Sequence, residues 1–178
     1  MSAPAATVRH HLLAVSVALL GGVFGVVGAF VQELQSGGAL LLPFVGAPII
    51  EEALKPAGVY ALLVRWPHVL RSQLHTALLA ALAGLAFGVI ESTLFVTLAV
   101  SDRPDWFIPY RFTAPVLMHS VASLIVGLGI SRGLVEWAAG RGSFPRRSRN
   151  AYIAAVVLHA LFNVTAVSLA LAGVLDVD

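Results

Sequence analysis

The sequence predicts an all-α integral membrane protein, a bundle of about five transmembrane helices with the N-terminus inside and the C-terminus outside. Three observations lead there. First, 58% of the 178 residues are hydrophobic and only 11% are charged, with a mean hydropathy of +0.90; a soluble domain of this length needs far more polar surface. Second, the apolar residues fall into five blocks, each long enough to span, at about 20 residues per crossing. Third, the arginines divide unequally between the two sides that five alternating spans create.

The blocks are roughly 12–32, 39–64, 73–99, 112–135 and 151–174. Polar connectors separate them: Glu33 to Gly38, Arg65 to Ser72, Ser101 to Arg111, and Glu136 to Asn150. None shows the period-2 alternation of a membrane strand, and a helix satisfies its own backbone polar groups in lipid. The first block holds 20 uncharged residues, Leu12 to Val31, longer than a signal-peptide core and followed by no small-x-small cleavage site, so it reads as a retained helix. Pro43, Gly46, Pro48 and Pro56 interrupt the second block, which predicts two half-helices there. Residues 1–178 read as a single transmembrane domain.

One side of the membrane receives Arg9, Arg65, Arg71, Arg132, Arg141, Arg146, Arg147 and Arg149, eight in all, and the other receives two, Arg103 and Arg111. Positive-inside puts the larger group and the N-terminus in the cytoplasm, and the acidic tail, Asp176 and Asp178, outside. The expected location is a cell membrane, crossed several times. Cysteine is absent, which excludes disulfides, thiolate nucleophiles and thiolate metal ligands. No phosphate loop, internal repeat or nucleic-acid motif occurs. Gly21 with Gly25, Gly84 with Gly88, and Gly129 with Gly133 read as close helix-packing pairs. A bundle this small is also expected to form a homo-oligomer, of unspecified number.

The informative residues are the polar ones inside the blocks: Glu51, Glu52 and Lys55 in the second, Glu91 in the third, His119 in the fourth, His159 and Asn163 in the fifth. A charge at a helix centre costs about 2.5–3.5 kcal/mol on insertion scales, and such groups face the bundle interior and serve function. Glu51 and Lys55 share a helical face, as do His159 and Asn163, while Glu52 lies about 100° round from Glu51. At about 1.5 Å rise per residue, all these groups fall in one slab between the midplane and the outer half of the bilayer. Glu91 has no cation one turn away, so it is either protonated or meets a partner from another helix.

These residues resemble the motifs of the PrsW-type intramembrane proteases. Glu51-Glu52-Ala53-Leu54-Lys55 matches their EExxK element, Phe87-Gly88-Val89-Ile90-Glu91 resembles an FGxxE element, and Arg111 through Pro115 to His119 resembles an arginine followed by a histidine on the next helix. His159 to Asn163 resembles the closing HxxxN or HxxxD element. The four occur in family order, over roughly residues 45–165. The wider superfamily includes the CAAX prenyl endopeptidases and the APH scaffolding subunit of gamma-secretase. Glu91 stands where the CAAX branch has a histidine, which favours the PrsW branch, and Phe95 stands where many PrsW members have tyrosine.

The resemblance implies an intramembrane endopeptidase that cleaves single-span membrane proteins. Its implied chemistry is a glutamate-dependent one with no cofactor: Glu51 as general base supported by Glu52, Lys55 holding the pair, and His119 holding the water or protonating the leaving amine. His159 and Asn163 would donate to the oxyanion, and Glu91 would orient a histidine. Carboxylates and histidines equally suit a zinc-dependent scheme, with ligands drawn from His119, His159, Glu51, Glu52 and Glu91, although no HExxH helix is present. A non-catalytic scaffold of the APH kind, or a small proton-relaying transporter, would use the same buried groups differently.

Overall fold

A computed structural model of the chain describes residues 8–36, 42–99 and 104–172. Arg103, Asp176 and Asp178 lie outside these residues, as do residues 37–38 of the first connector and 101–103 of the third. Among the described residues the protein is helical, without a strand. The helices are α1 (Val8–Ser36), α2 (Ala47–Leu54), α3 (Ala57–Arg65), α4 (Gln73–Leu94), α5 (Phe107–Gly129), α6 (Arg132–Ala138) and α7 (Arg146–Leu171). π-helical turns precede α2 at Leu42–Gly46 and extend α4 through Phe95–Ala99.

Four helices, those of α1, α4, α5 and α7, are long and apolar enough to cross a membrane, and the protein is a multi-pass membrane protein. The expected five blocks thus resolve as four unbroken helices and one interrupted one. A turn at Lys55–Pro56 divides the second block into α2 and α3, because proline brings no N–H and its ring crowds the preceding turn. The outer faces of the long helices carry exposed Leu20, Phe24, Leu117 and Leu161, as lipid-facing surfaces do. The interior is reversed: Lys55, Phe87, Leu62, His119, His159 and Glu52 head its largest fully buried side chains.

Two expected boundaries shift. The segment Glu33–Ser36 continues α1 rather than beginning a connector, since polarity marks the edge of the hydrocarbon and not the end of the helix. The fourth block begins at Phe107, not 112, and ends at Gly129. Arg111 and His119 therefore share one helix instead of lying on successive elements.

α4 packs most extensively on α5, and α1 and α7 close the bundle against α4 and α5 respectively. Small residues permit these approaches. A Cβ on Gly84 would collide with the His119 carbonyl oxygen and stand 2.6 Å from Ser123 Oγ, so this glycine lets α5 bring His119 close to α4. Gly21 of α1 meets Gly58 of α3 in the same way, backbone to backbone. The helix ends are tied by side chains: Gln73 Nε2 donates to the carbonyls of Gly127 at 2.8 Å and Ile130 at 3.1 Å, and Ser148 Oγ donates to Gly129 at 2.6 Å. These bonds satisfy the Gly129 and Ile130 carbonyls that the end of α5 leaves open and add to the Ile130 N–H already on the Gly127 carbonyl.

Candidate active site

The polar residues of four helices converge. α2 contributes Glu51, Glu52 and Lys55 at its C-terminal turn, α4 contributes Phe87 and Glu91, α5 contributes Arg111 and His119, and α7 contributes His159. The interruption at Lys55–Pro56 ends α2 in the bundle interior and leaves Lys55 fully buried. Tyr152 Oη of α7 donates to the Ile49 carbonyl at 2.6 Å, fastening α2 to α7. In α5, Pro115 cannot donate to the Arg111 carbonyl four residues back; Ser92 Oγ of α4 donates to that carbonyl instead, at 2.7 Å. The bond pins the turn that carries Arg111 two turns from His119.

The charges form a connected network. Lys55 Nζ lies 2.6 Å from Glu52 Oε1, 2.7 Å from His119 Nδ1 and 3.3 Å from Glu51 Oε2, and 4.5 Å over the Phe87 ring. Its short carboxylate bond is thus to Glu52, three residues back, and not to Glu51 on the expected i, i+4 face; both spacings lie within reach on a helix. Glu52 Oε1 also meets His159 Nδ1 at 2.8 Å. Glu91 Oε2 meets His119 Nε2 at 2.9 Å and Arg111 Nη2 at 3.3 Å, so its partners come from another helix. The Arg111 guanidinium in turn lies 4.2 Å over the Phe95 ring. The rings of His119 and His159 meet edge to face with centroids 4.9 Å apart.

Each histidine therefore has one nitrogen on a carboxylate of its own, Glu91 for His119 and Glu52 for His159. The other nitrogen of each lies near Glu51: Glu51 Oε2 is 3.9 Å from His119 Nδ1, which Lys55 Nζ contacts at 2.7 Å, and 3.9 Å from His159 Nε2. This oxygen is buried and has the 3.3 Å ion pair with Lys55 but no well-formed hydrogen bond, so part of its accepting capacity is left unfilled. Glu51, His119 and His159 each offer one ligand atom within 4.8 Å of the others. Metal–ligand bonds of about 2.0–2.2 Å make separations near 4 Å reachable by one ion, and two imidazoles with one carboxylate are a catalytic zinc set that leaves a position for water. Carboxylates on the outer nitrogens fix the tautomers that such ligands require. The residues fit a divalent ion.

Of the remaining sequence-derived residues, Asn163 is half-buried one turn beyond His159 on α7. Sequence reasoning named Arg111 only as part of a motif and did not pair it with Glu91. Phe87, Ser92 and Tyr152 were not recognised as supports; the phenylalanine of the FGxxE element was the available clue to the first.

The chain belongs to the PrsW family: the model for PrsW family intramembrane metalloproteases matches residues 6–177, nearly its whole length. No curated protein and no solved structure matches it.

Proposed function

We propose that this protein is an intramembrane endopeptidase that hydrolyses a peptide bond of single-span membrane proteins at a divalent-metal site formed by Glu51, His119 and His159. One observation carries the reading. A buried carboxylate oxygen, ion-paired only loosely with Lys55 at 3.3 Å, faces one nitrogen of each of two histidines, while separate carboxylates engage their other nitrogens. With the arginine-rich side in the cytoplasm, the site opens toward the outer half of the bilayer.

When bound, a zinc-like ion acidifies a water and polarises the scissile carbonyl. The protein's own residues prepare that chemistry. Glu52 accepts the Nδ1 proton of His159 and so keeps Nε2 available. Glu91 does the same for His119 through Nε2, which makes Nδ1 the acceptor nitrogen; Lys55 Nζ, 2.7 Å from it, would have to give way to an ion there. Lys55 neutralises Glu52 and stays poised beside His119. Arg111 balances Glu91, whose side chain is 30% exposed and is the wetter end of the network. The cluster sits among apolar helices, where fixed charges act on a reacting carbonyl more strongly than in water.

A metal-free reading has one specific observation in its favour: Lys55 Nζ already occupies His119 Nδ1 at 2.7 Å. In that scheme Glu51 Oε2 takes the proton of the attacking water directly, and Lys55 holds His119 as an acceptor.

The test is proteolysis in liposomes with single-span fluorogenic substrates, comparing the wild type with Glu51→Gln, with elemental analysis of both proteins. Glu51→Gln should lower cleavage about 10²–10⁴-fold, the range of a positioned acid–base group. Stoichiometric metal in the wild type, its loss from the variant and inhibition by chelator establish the metal reading. Chelator-insensitive cleavage by metal-free protein selects the glutamate reading. Absence of cleavage in a folded wild type that copurifies with a partner helix would favour a scaffold.

A further inference from the structure

Far along the bundle from the Arg111–Glu91 pair, α2, α3, α5, α6 and α7 line a partly open cavity of about 380 Å³, within the roughly 300–1,000 Å³ of small-molecule sites. Its walls include Ala53, Tyr60, Val64, Leu134, Trp137 and Tyr152, and none of its lining residues is charged. An apolar hollow of this size, open at one side of a membrane protein, suits a hydrocarbon chain that restores close packing.

The surroundings identify the occupant. Arginines flank the lining residues in sequence on three of these five helices. Arg65 follows Val64 at the end of α3, Arg132 opens α6 two residues before Leu134, and Arg146, Arg147 and Arg149 flank the lining Ser148 in the first turn of α7. All five are exposed. Among the described residues none of them has a carboxylate at salt-bridge distance, whereas nearby Arg141 pairs with Glu136 at 2.6 Å. Trp137, 46% exposed, both lines the cavity and faces out, as aromatic residues do at the headgroup level. An apolar chamber whose lining residues are followed or preceded in sequence by exposed arginines without a salt bridge complements a molecule with a hydrocarbon tail and an anionic head.

We propose that this cavity binds one acyl chain of an anionic phospholipid, whose phosphate is held by the arginines of α3, α6 and α7. The site is separate from the Glu51 cluster but touches its scaffold. Ala53, which lines the cavity, follows Glu52 in the same helix, and Tyr152, which also lines it, bonds the Ile49 carbonyl of α2. A seated lipid braces the back of the helix that carries Glu51 and Glu52.

The experiment is native mass spectrometry of the full-length protein in detergent with equimolar phosphatidylglycerol and phosphatidylcholine of identical chains. The first retained lipid should be phosphatidylglycerol by about tenfold, in keeping with the attraction of clustered arginines for anionic headgroups. Arg146→Gln/Arg147→Gln/Arg149→Gln, made at exposed positions that leave the fold intact, should bring the two lipids to parity. Ala138→Trp fills the cavity from its exposed side and leaves every arginine in place; it should abolish tight retention of either lipid. Equal retention of both lipids by the wild type overturns the proposal. So does an undiminished phosphatidylglycerol preference in Ala138→Trp, which would reduce the effect to surface charge, and so does displacement of the lipid by inorganic phosphate alone.

Discussion

Among the described residues histidine rings meet edge to face in two regions, and the regions differ in almost everything else. His10 of α1 and His68 have ring centroids 5.2 Å apart at 74°; His119 and His159 have them 4.9 Å apart at 88°. The first pair belongs to an outlying group with His11 and His75, next to Arg71, which hydrogen-bonds His11. The second lies fully buried, with a carboxylate on each histidine and a third between them. Among the described residues only the buried pair joins a set of ligand atoms that one ion could bridge. Ring stacking is thus neutral as evidence of a site. The surrounding carboxylates are what distinguish the buried pair, because they fix which nitrogen is free and where it points.

The comparison is sharpest at Lys55, the one cation that touches the buried group from the end of the helix carrying Glu51 and Glu52. Lys55→Met removes the partner of Glu52 and leaves a carboxylate in a dry interior, and breaking a buried ion pair in this way costs about 3–5 kcal/mol. The expected outcome is a larger drop in thermal stability than any other single substitution in the network produces, with loss of cleavage. Arg71→Met, beside the outlying histidines, should leave the melting temperature nearly unchanged from wild type. Equal stability of the two variants, measured by thermal unfolding in detergent, would show that the buried network is no more demanding than the outlying one.

Glu91 tests whether the carboxylate on a histidine matters apart from the histidine itself. Glu91→Gln keeps the shape of the side chain but removes the charge that holds His119 Nε2. Supporting carboxylates of this kind are worth about 10–100-fold in metal affinity or activity, so cleavage should fall by that factor with the protein still folded. Arg111→Gln should cost less, about fivefold at most, because its contact with Glu91 is longer and partly open to water. If Arg111→Gln is the more damaging of the two, Arg111 meets the substrate itself and not merely Glu91. Assays in the same liposomes, with kcat and KM separated, decide between these.

Much of this arrangement was readable in the sequence. The long helices followed from uninterrupted apolar runs, and the broken second block from Pro43, Pro48 and Pro56. The site residues Glu51, Glu52, Lys55, Glu91, His119 and His159 stood out because ionisable groups are expensive in a bilayer. What was not readable depends on distances between helices. Helical periodicity put Lys55 on the face of Glu51, whereas the shorter bond runs to Glu52. Nothing local pairs Arg111 with Glu91, twenty positions away on another helix, or tells Ser92 to donate to a carbonyl that Pro115 leaves open. Helix ends were misplaced for a related reason. Glu33 and Gln35 are good helix formers that extend α1 past the apolar run, and hydropathy does not register them.

The smallest expected effect is also the one most able to break the comparison. His10→Ala/His68→Ala removes a ring pair as close as the buried one, from positions where His10 is half-buried and His68 exposed. Neither histidine has a carboxylate at salt-bridge distance among the described residues, and neither belongs to the set that could hold an ion. If carboxylate partners make a histidine functional in this protein, the double variant should bind the same amount of metal as the wild type and cleave at the same rate, with stability changed by less than about 1 kcal/mol, within the range of an aromatic contact of this kind. Loss of metal from the double variant would mean that a second ion sits at the arginine-rich end of α1. The stacked pair there, and not only the carboxylate-flanked pair in the interior, would then have to be counted as a site.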